Sequence, residues 1–464
     1  MGIFSAIKGL LPIISDSRVK DDFQVEPITS GQMDAWIYEC ADIYQGNPCW
    51  IDEEDGIDTV NFAKSLCSEI ARLTMQGTSI KLSGSARADW IQEQIDRVYS
   101  CMQSWVEYGC AYGTIALKPN GDTVDVYTPG RFEITHATNG EVDGMVFHNR
   151  RKSGDKWFTR LEYHRFEGST YVITNKCYVS KAENDTGRPV DISGTPWAEL
   201  ADEVRVANIE KPLFGVLRMP QANNIFIGSP YGLPVFTEAV QELRDLDIAY
   251  SRNAAEIFDS KRIVMVDKDR LLDYRDRART ENALGRVKMP NYINLVDGDT
   301  TTESDVYHEI NPTLNTDARL IGLNALLSQI GYKVGFSNGY FVFNQSGGIK
   351  TATQVEADQQ RTVQTIKAIR DSLEHCLDRL IYALNAFADL YGLAPAGVYE
   401  VAYDFGDITY SANEEKARWY SYVIAGKIPF WYYLMRFEGF TEQEAKALEN
   451  AAQPKTPTLF GGEE

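Results

Sequence analysis

The chain has 464 residues, 44% of them hydrophobic, 11% aromatic and 24% charged, which allows roughly two to four domains with sizeable cores and excludes a disordered polymer. Acidic residues outnumber basic ones 66 to 46, a net charge of −20, which argues against a protein that grips nucleic acid over its whole surface but leaves DNA possible as a passing guest. Seven scattered cysteines without a C-x-x-C pair point away from a disulfide framework or zinc site and toward free thiols in a reducing compartment.

In chain order, MGIFSAIKGLLPIISDS has an apolar run broken by Pro12 and is expected to dock rather than to act as a signal peptide. No run of 18 apolar residues is present to span a bilayer. Helical periodicity predicts two amphipathic helices, NFAKSLCSEIARLTM and ADWIQEQIDRVYSCMQSWVEYG, separated by a Gly/Ser loop at Leu82 to Ser85. Alternating apolar residues then predict strands at TIALKP, TVDVY, MVFHN, WFTRLEYHRF and TYVITNKCYV, with turns at PNGD and Asn139-Gly140. Lys181 to Trp197 reads as a loop.

Pro234 is placed in the first turn of a charged helix running to Ser260. A small α+β insertion, Lys261 to Pro312, follows, with strands at KRIVMVD, INLVDGD and SDVYHEINP around a charged helix LLDYRDRARTENAL. Asn315 to Val334 returns as a helix. After the glycine- and aromatic-rich GFSNGYFVFNQSGG, apolar residues at Ile366, Ile369, Leu373, Leu377, Leu380, Leu384, Phe387 and Tyr391 step by three and four. That spacing predicts one helix from about Thr351 to Tyr391, roughly 60 Å long, with Thr353 and Glu356 as a capping box and Gly392 as its stop. YEVAYDFGD, helices at ANEEKARWYSYVIAG and TEQEAKALENA, an aromatic turn IPFWYYLMRF between them and a tail QPKTPTLFGGEE complete the chain.

Catalytic motifs are incomplete. Gly335-Phe336-Ser337-Asn338-Gly339 has the letters of a nucleophile elbow, but a helix precedes it and the only later histidine, His375, lies inside the long helix. Gly347-Gly348-Ile349-Lys350-Thr351 resembles a phosphate loop with Ile349 separating glycine from lysine. No H-E-x-x-H is present among the five histidines, so no metal site is expected. Asp245 with Asp247, on a highly charged helix, read as a solvated or intersubunit face rather than an acid/base pair. The segment from Lys268 to Lys288 interleaves seven cations with acids and Tyr274, a mixed surface suited to a protein partner.

The strings VEYGCAYGTIALKP, GSPYGLPVFTEAVQELRDLDIAYSRNAAEIFDSKRIVMV, IGYKVGFSNGYF with GGIKTATQVEADQQRTVQTI, and FGDITYSANEEKARWYSYVIAGKIPFWYYL, in that order, make the chain similar to the portal proteins of tailed double-stranded DNA bacteriophages over about Asn61 to Leu448. The closest group is portals of siphophages infecting Gram-positive hosts. The resemblance implies an α+β subunit: N-terminal segment and wing at 1–233, stem helix 234–260, clip 261–312, return stem helix 313–334, tunnel loop 335–350, long helix and wing 351–410, and crown with tail 411–464. It implies a ring, usually of twelve copies, which at −20 each would carry about −240. The ring would sit at one capsid vertex of the virion after assembly in the host cytoplasm. Its implied partners are the terminase large subunit, a head-tail adaptor, scaffolding and major capsid proteins, and double-stranded DNA held weakly without sequence specificity.

No catalytic residue, cofactor, metal or membrane is implied. Asn338, Tyr340, Asn344, Gln345, Ser346 and Lys350 are the expected DNA-facing loop residues, and Arg270, Tyr274, Arg275, Arg277 and Arg279 the expected clip residues facing motor or adaptor. The rival readings are an intracellular serine hydrolase using Ser337 and an adaptor or scaffold without a channel.

Overall fold

The computed structural model describes residues 17–52, 54, 56–121, 123–183, 185–259, 263–266, 292–294, 307–310, 315–342, 352–406, 412–438 and 440–452. In chain order the elements are α1 Ser17–Phe23, α2 Gly31–Gln45, α3 Phe62–Met75, β1 Ser79–Ser83, α4 Ala86–Tyr112, β2 Thr114–Asn120, β3 Thr123–Tyr127, β4 Phe132–Thr138, β5 Glu141–Ser153, β6 Lys156–Glu167, β7 Thr170–Ser180, β8 Arg188–Val190, β9 Glu203–Ala207 and β10 Gly215–Arg218. They continue as α5 Val240–Asp259, β11 Ile263–Val266, β12 Tyr292–Asn294, β13 Tyr307–Ile310, α6 Thr316–Val334, α7 Ala352–Tyr391, β14 Glu400–Asp404, α8 Ala412–Ile424, α9 Phe430–Phe437 and α10 Glu442–Ala452. Two compact units result, Met1–Thr74 with Leu82–Val401, and Met75–Lys81 with Ala402–Glu464. The fold class is α+β, as expected.

In the first unit, antiparallel hairpins order a large sheet β4-β5-β6-β7-β8, with β9 also pairing β7, and a smaller sheet β10-β2-β3. The β4–β5 hairpin closes on Asn139 and Gly140, both at positive φ (53° and 86°), as a tight turn between right-twisted strands requires. Rings from both sheets meet in one core: Phe147 lies 4.7 Å from Tyr127 and 5.4 Å from Phe214, and Phe132 stacks on Tyr231 at 5.9 Å. A buried charge cluster ties the sheets together. Glu162 of β6 accepts from Lys118 Nζ of β2 and from Arg160 Nη2, both at 2.7 Å. Burial works against the charged carboxylate, yet Lys118 and Arg160 hold its pKa well below the usual range, while burial keeps the adjoining His164 neutral.

The long helix forms as its spacing predicts, with Ile366, Ile369, Leu373, Leu377, Leu380 and Leu384 buried along one stripe. It begins at Ala352, so Thr353 falls inside the first turn instead of capping it. The insertion contributes a three-stranded sheet β12-β11-β13, in which β11 pairs β12 parallel and β13 antiparallel. Its expected charged helix lies outside the described residues.

Several sequence expectations change. The charged helix starts as α5 at Val240, after a 3-10 turn at Thr237–Ala239. Pro234 lies instead in a chain segment pinned to the end of α4 through the Val235 amide on the Cys110 carbonyl, 2.9 Å. β1 takes Leu82 and Ser83 from the expected loop, and β8 takes Arg188–Val190 from the next one. Helix α2 and strands β4, β9 and β10 had not been anticipated.

In the second unit, IPFWYYLMRF holds a helix, α9, rather than a turn. Trp419 of α8 stacks on Tyr432 at 5.8 Å and meets Phe437 edge-on at 5.9 Å, so aromatic side chains at helical spacing have a partner helix to pack on. Thr441 and Glu444 form a reciprocal capping box at the start of α10.

Candidate functional site

Helices α5 and α6 pack as an antiparallel pair, pinned at both ends by carboxylates on α5. Near its start, Glu242 accepts from Lys333 Nζ at 2.6 Å and Gln329 Nε2 at 3.0 Å. Near its end, Glu256 pairs with Arg319 and accepts the Asn315 amide at the head of α6, where a carboxylate complements the helix dipole. On α5, Asp247 is neither solvated nor catalytic: it is buried, accepting from Trp50 Nε1 at 2.9 Å and the Val60 amide at 3.0 Å. Ser251 accepts the Asp58 amide at 3.0 Å, so the 50–60 segment is strapped to the helix.

The outward side of α6 is different. Ala318, Ile321, Gly322, Ala325 and Tyr332 are exposed and carry no charge. Ile321 is 70% and Tyr332 55% exposed; on α5, Tyr250 and Ile257 are about half exposed.

Helix α6 ends on Gly335 at φ +99°, with the Phe336 amide returning to the Gly331 carbonyl at 2.8 Å. A Cβ there would lie 2.5 Å from Thr365 Oγ1 of α7, so the position needs glycine for both conformation and space. Beyond it, 336–342 folds back on the body. Phe336, Tyr340 and Phe341 form a mutual cluster with centroids 4.7–4.9 Å apart, and Phe62 of α3 meets Phe341 at 5.3 Å. The Tyr340 hydroxyl donates to Glu69 of α3, which also holds Arg72 at 2.7 Å. Burial, and then this bond, push the Tyr340 phenol up to about 12, whereas the Arg72 hydrogen bonds hold Glu69 below the usual carboxylate range.

Guanidinium groups fasten the long helix to its neighbours through the carbonyls that helix ends leave unsatisfied. Arg361 of α7 donates to the Tyr332 carbonyl of α6 at 3.0 Å. The buried Arg370 of α7 donates to the Leu73 and Thr74 carbonyls of α3 at 3.0 and 2.9 Å. Arg87 of α4, 2% exposed, instead clamps α7 to the turn that follows it: it reaches the Asn385 carbonyl within the helix and the Ala394 and Pro395 carbonyls after it, and pairs with Asp389 at 2.6 Å. The helix is held along its length, and the segment after α6 is seated against it.

Ser337 is no nucleophile. It is buried, its amide donates to Thr362 Oγ1 at 2.9 Å, and its hydroxyl accepts from that same oxygen at 3.1 Å. His375, the only histidine after it in the chain, pairs with Glu141 at 2.9 Å. A helix rather than a strand leads into the motif, so the hydrolase reading fails on base and local geometry alike.

The profile of the phage portal protein family, SPP1 Gp6-like, matches residues 60–457. The chain belongs to this family. No curated protein matches it in sequence. As a portal protein it is a structural component of the phage virion, located at a capsid vertex, and not an enzyme. Among the described residues no helix is long and apolar enough to cross a membrane, and no group of histidine, cysteine and carboxylate side chains is arranged to hold a metal.

Of the expected DNA-facing residues, Asn338 is exposed and Tyr340 is tied to Glu69; Asn344, Gln345, Ser346 and Lys350 lie outside the described residues, as do Arg270, Tyr274, Arg275, Arg277 and Arg279. The anchors Glu69, Thr362, Arg370 and Arg87 had escaped the sequence reading because their partners lie tens to hundreds of residues away. A buried arginine donating to backbone carbonyls leaves no local pattern.

Proposed function

We propose that the portal chain assembles into a closed ring of about twelve copies whose central channel passes double-stranded DNA inward under a terminase motor and outward at ejection. In this reading α5 and α6 are the stem, 261–312 the clip toward motor and adaptor, 335–350 the tunnel loop, α7 the spine, and 411–464 the crown and tail. Arg270, Tyr274, Arg275, Arg277 and Arg279 meet the motor or adaptor; Asn338, Asn344, Gln345, Ser346 and Lys350 face DNA, with Tyr340 at the loop's base. The scaffolding and major capsid proteins surround the ring, assembly takes place in the host cytoplasm, and the host is a Gram-positive bacterium.

The observation that carries this reading is the uncharged exposed face of α6. A helix pinned by ion pairs on one side and leaving Ile321 70% exposed on the other has the character of an intersubunit surface. Asn344, Gln345 and Ser346 suit a channel wall, because neutral side chains contact phosphates without the affinity that a ring of cations would create. Native mass spectrometry of the purified protein is the test. A ring of about a dozen subunits is the expected result, and a monomer or dimer at every concentration would sink the reading.

A further inference from the structure

Strand register gathers cations at one end of the large sheet. Arg151 of β5 pairs with Phe158 of β6, Phe158 with Val179 of β7, and Val179 with Arg188 of β8, so the two arginines share a face, three strands or about 14 Å apart. Lys156 pairs with Ser153, which lies two residues beyond Arg151 on β5, so it falls on that face too. Lys152 projects from the other face, and Lys181 directly follows the last residue of β7. All five are exposed, and none forms an ion pair among the described residues. The two connections at this end, 154–155 and 181–187, contain three acids, Asp155, Glu183 and Asp185. Asp185 is already engaged by the Ser180 hydroxyl at 3.2 Å and the Gly187 amide at 3.0 Å. In a chain of net charge −20, the sign of the surface is locally reversed here.

Aromatic rings hold two of the cationic heads in place: Arg151 lies 5.5 Å from the Trp197 centroid and Lys152 5.6 Å from that of Trp157. A ring face attracts a cation without offering a lone-pair acceptor, so the N–H donors stay available to an anion.

The kind of anion follows from what surrounds these donors. Protein–protein interfaces have an apolar centre and are poor in lysine. Here three of the five cations are lysines, and among the described residues no large apolar side chain is exposed between Tyr108 and Leu200; Trp157, Phe158 and Val179 are half-buried. A phosphate backbone needs no apolar centre, only donors on a rigid frame. The distance from Arg151 to Arg188 spans about four phosphates of one strand at roughly 3.4 Å of rise each. We propose that this end of the sheet, centred on Arg151, Lys156 and Arg188, binds the phosphate backbone of duplex DNA without reading its sequence, through residues separate from the tunnel loop. Naming DNA rests on the channel reading; the preference for phosphate over a protein carboxylate rests on the surface itself.

The experiment follows binding of a fluorescein-labelled duplex to the full chain by fluorescence anisotropy, between about 50 and 200 mM salt. In Arg151→Gln/Lys156→Gln/Arg188→Gln the slope of log affinity against log salt should become shallower by about 2.7, and affinity at about 50 mM salt should fall at least tenfold, as expected for three lost phosphate contacts. Lys181→Gln, beyond the last residue of β7, should reduce the slope by about one and remains informative if the triple variant is unstable. Removing three exposed lysines elsewhere, in Lys64→Gln/Lys81→Gln/Lys367→Gln, should change the slope by less than about one. Equal losses in that control, unchanged binding in both sheet-end variants, or no binding by the parent at the lowest salt would overturn the proposal. Displacement of the duplex by polyglutamate or by phosphatidylglycerol vesicles at equal charge concentration would do the same. A chain that forms no ring but loses DNA binding with these cations would sink the channel reading and leave this one standing; a ring of normal mass whose DNA binding ignores them would do the reverse.

Discussion

Gly335 carries a sharp constraint at the level of single residues, because two independent causes act at one atom. An added Cβ meets the +99° φ and the Thr365 hydroxyl together, so Gly335→Ala is expected to destabilise the subunit by about 1–3 kcal/mol in denaturant unfolding; an unchanged midpoint would show that α6 ends differently. Tyr340 makes a smaller, pH-dependent contribution. Its phenol is raised from an ordinary value of 10.0 to about 12, so the unfolded chain loses this proton first. The bond to Glu69 therefore stabilises fully below about pH 10, and its contribution is lost as pH rises from 10 toward 12. Comparing Tyr340→Phe with the parent across this window should show a stability gap near neutrality that narrows as the parent ionises, and a pH-independent gap would contradict the assignment.

Among elements, those whose evidence lies within one window were legible. The three-and-four spacing of α7 and the alternation of β5 to β7 come from local periodicity, and the helix ends at Gly335 and Gly392 from a residue type. Strands β9 and β10 escaped because EVRVA and GVLR are short, and β4 because the pairing of FEITHAT is broken by register shifts around His136; all three become strands by pairing with neighbours, where tertiary context outweighs propensity. Aromatic density masked α9, since FWYYLMRF is only eight residues long and carries a single charged residue, Arg436. The buried arginines are the extreme case: Arg370 gains its role from carbonyls 296 and 297 positions away. Arg370→Met should cost about 2–4 kcal/mol by orphaning the end of α3, and Arg370→Lys should recover only part of it because an ammonium lacks the fork. Equal stability of Lys and Met variants, measured by urea unfolding, would mean that packing and not capping holds the two helices together.

Over the whole molecule, the exposed face of α6 and the neutral residues Asn344 and Gln345 of the proposed tunnel loop lead to two separable outcomes. Ala325→Arg places a charge on the uncharged face without touching the buried side of the helix; it should leave the circular dichroism of the subunit intact and abolish the ring in native mass spectrometry, while a ring of normal mass would remove α6 from the interface. Asn344→Arg or Gln345→Arg should do the reverse. In the proposed ring each substitution would be repeated in every copy around the channel, adding a belt of cations where the sequence has neutral amides; each guanidinium held against phosphate would displace a counterion, so DNA binding would become strong and salt-dependent. DNA would then be retained rather than passed. Rings of normal mass should form, and the amount of DNA packaged in vitro should drop, with partial recovery as salt is raised and the added contacts are screened. Normal packaging at low salt in both variants would mean that these positions stand away from the DNA, and the neutral character of 344–346 would then need a cause other than low phosphate affinity.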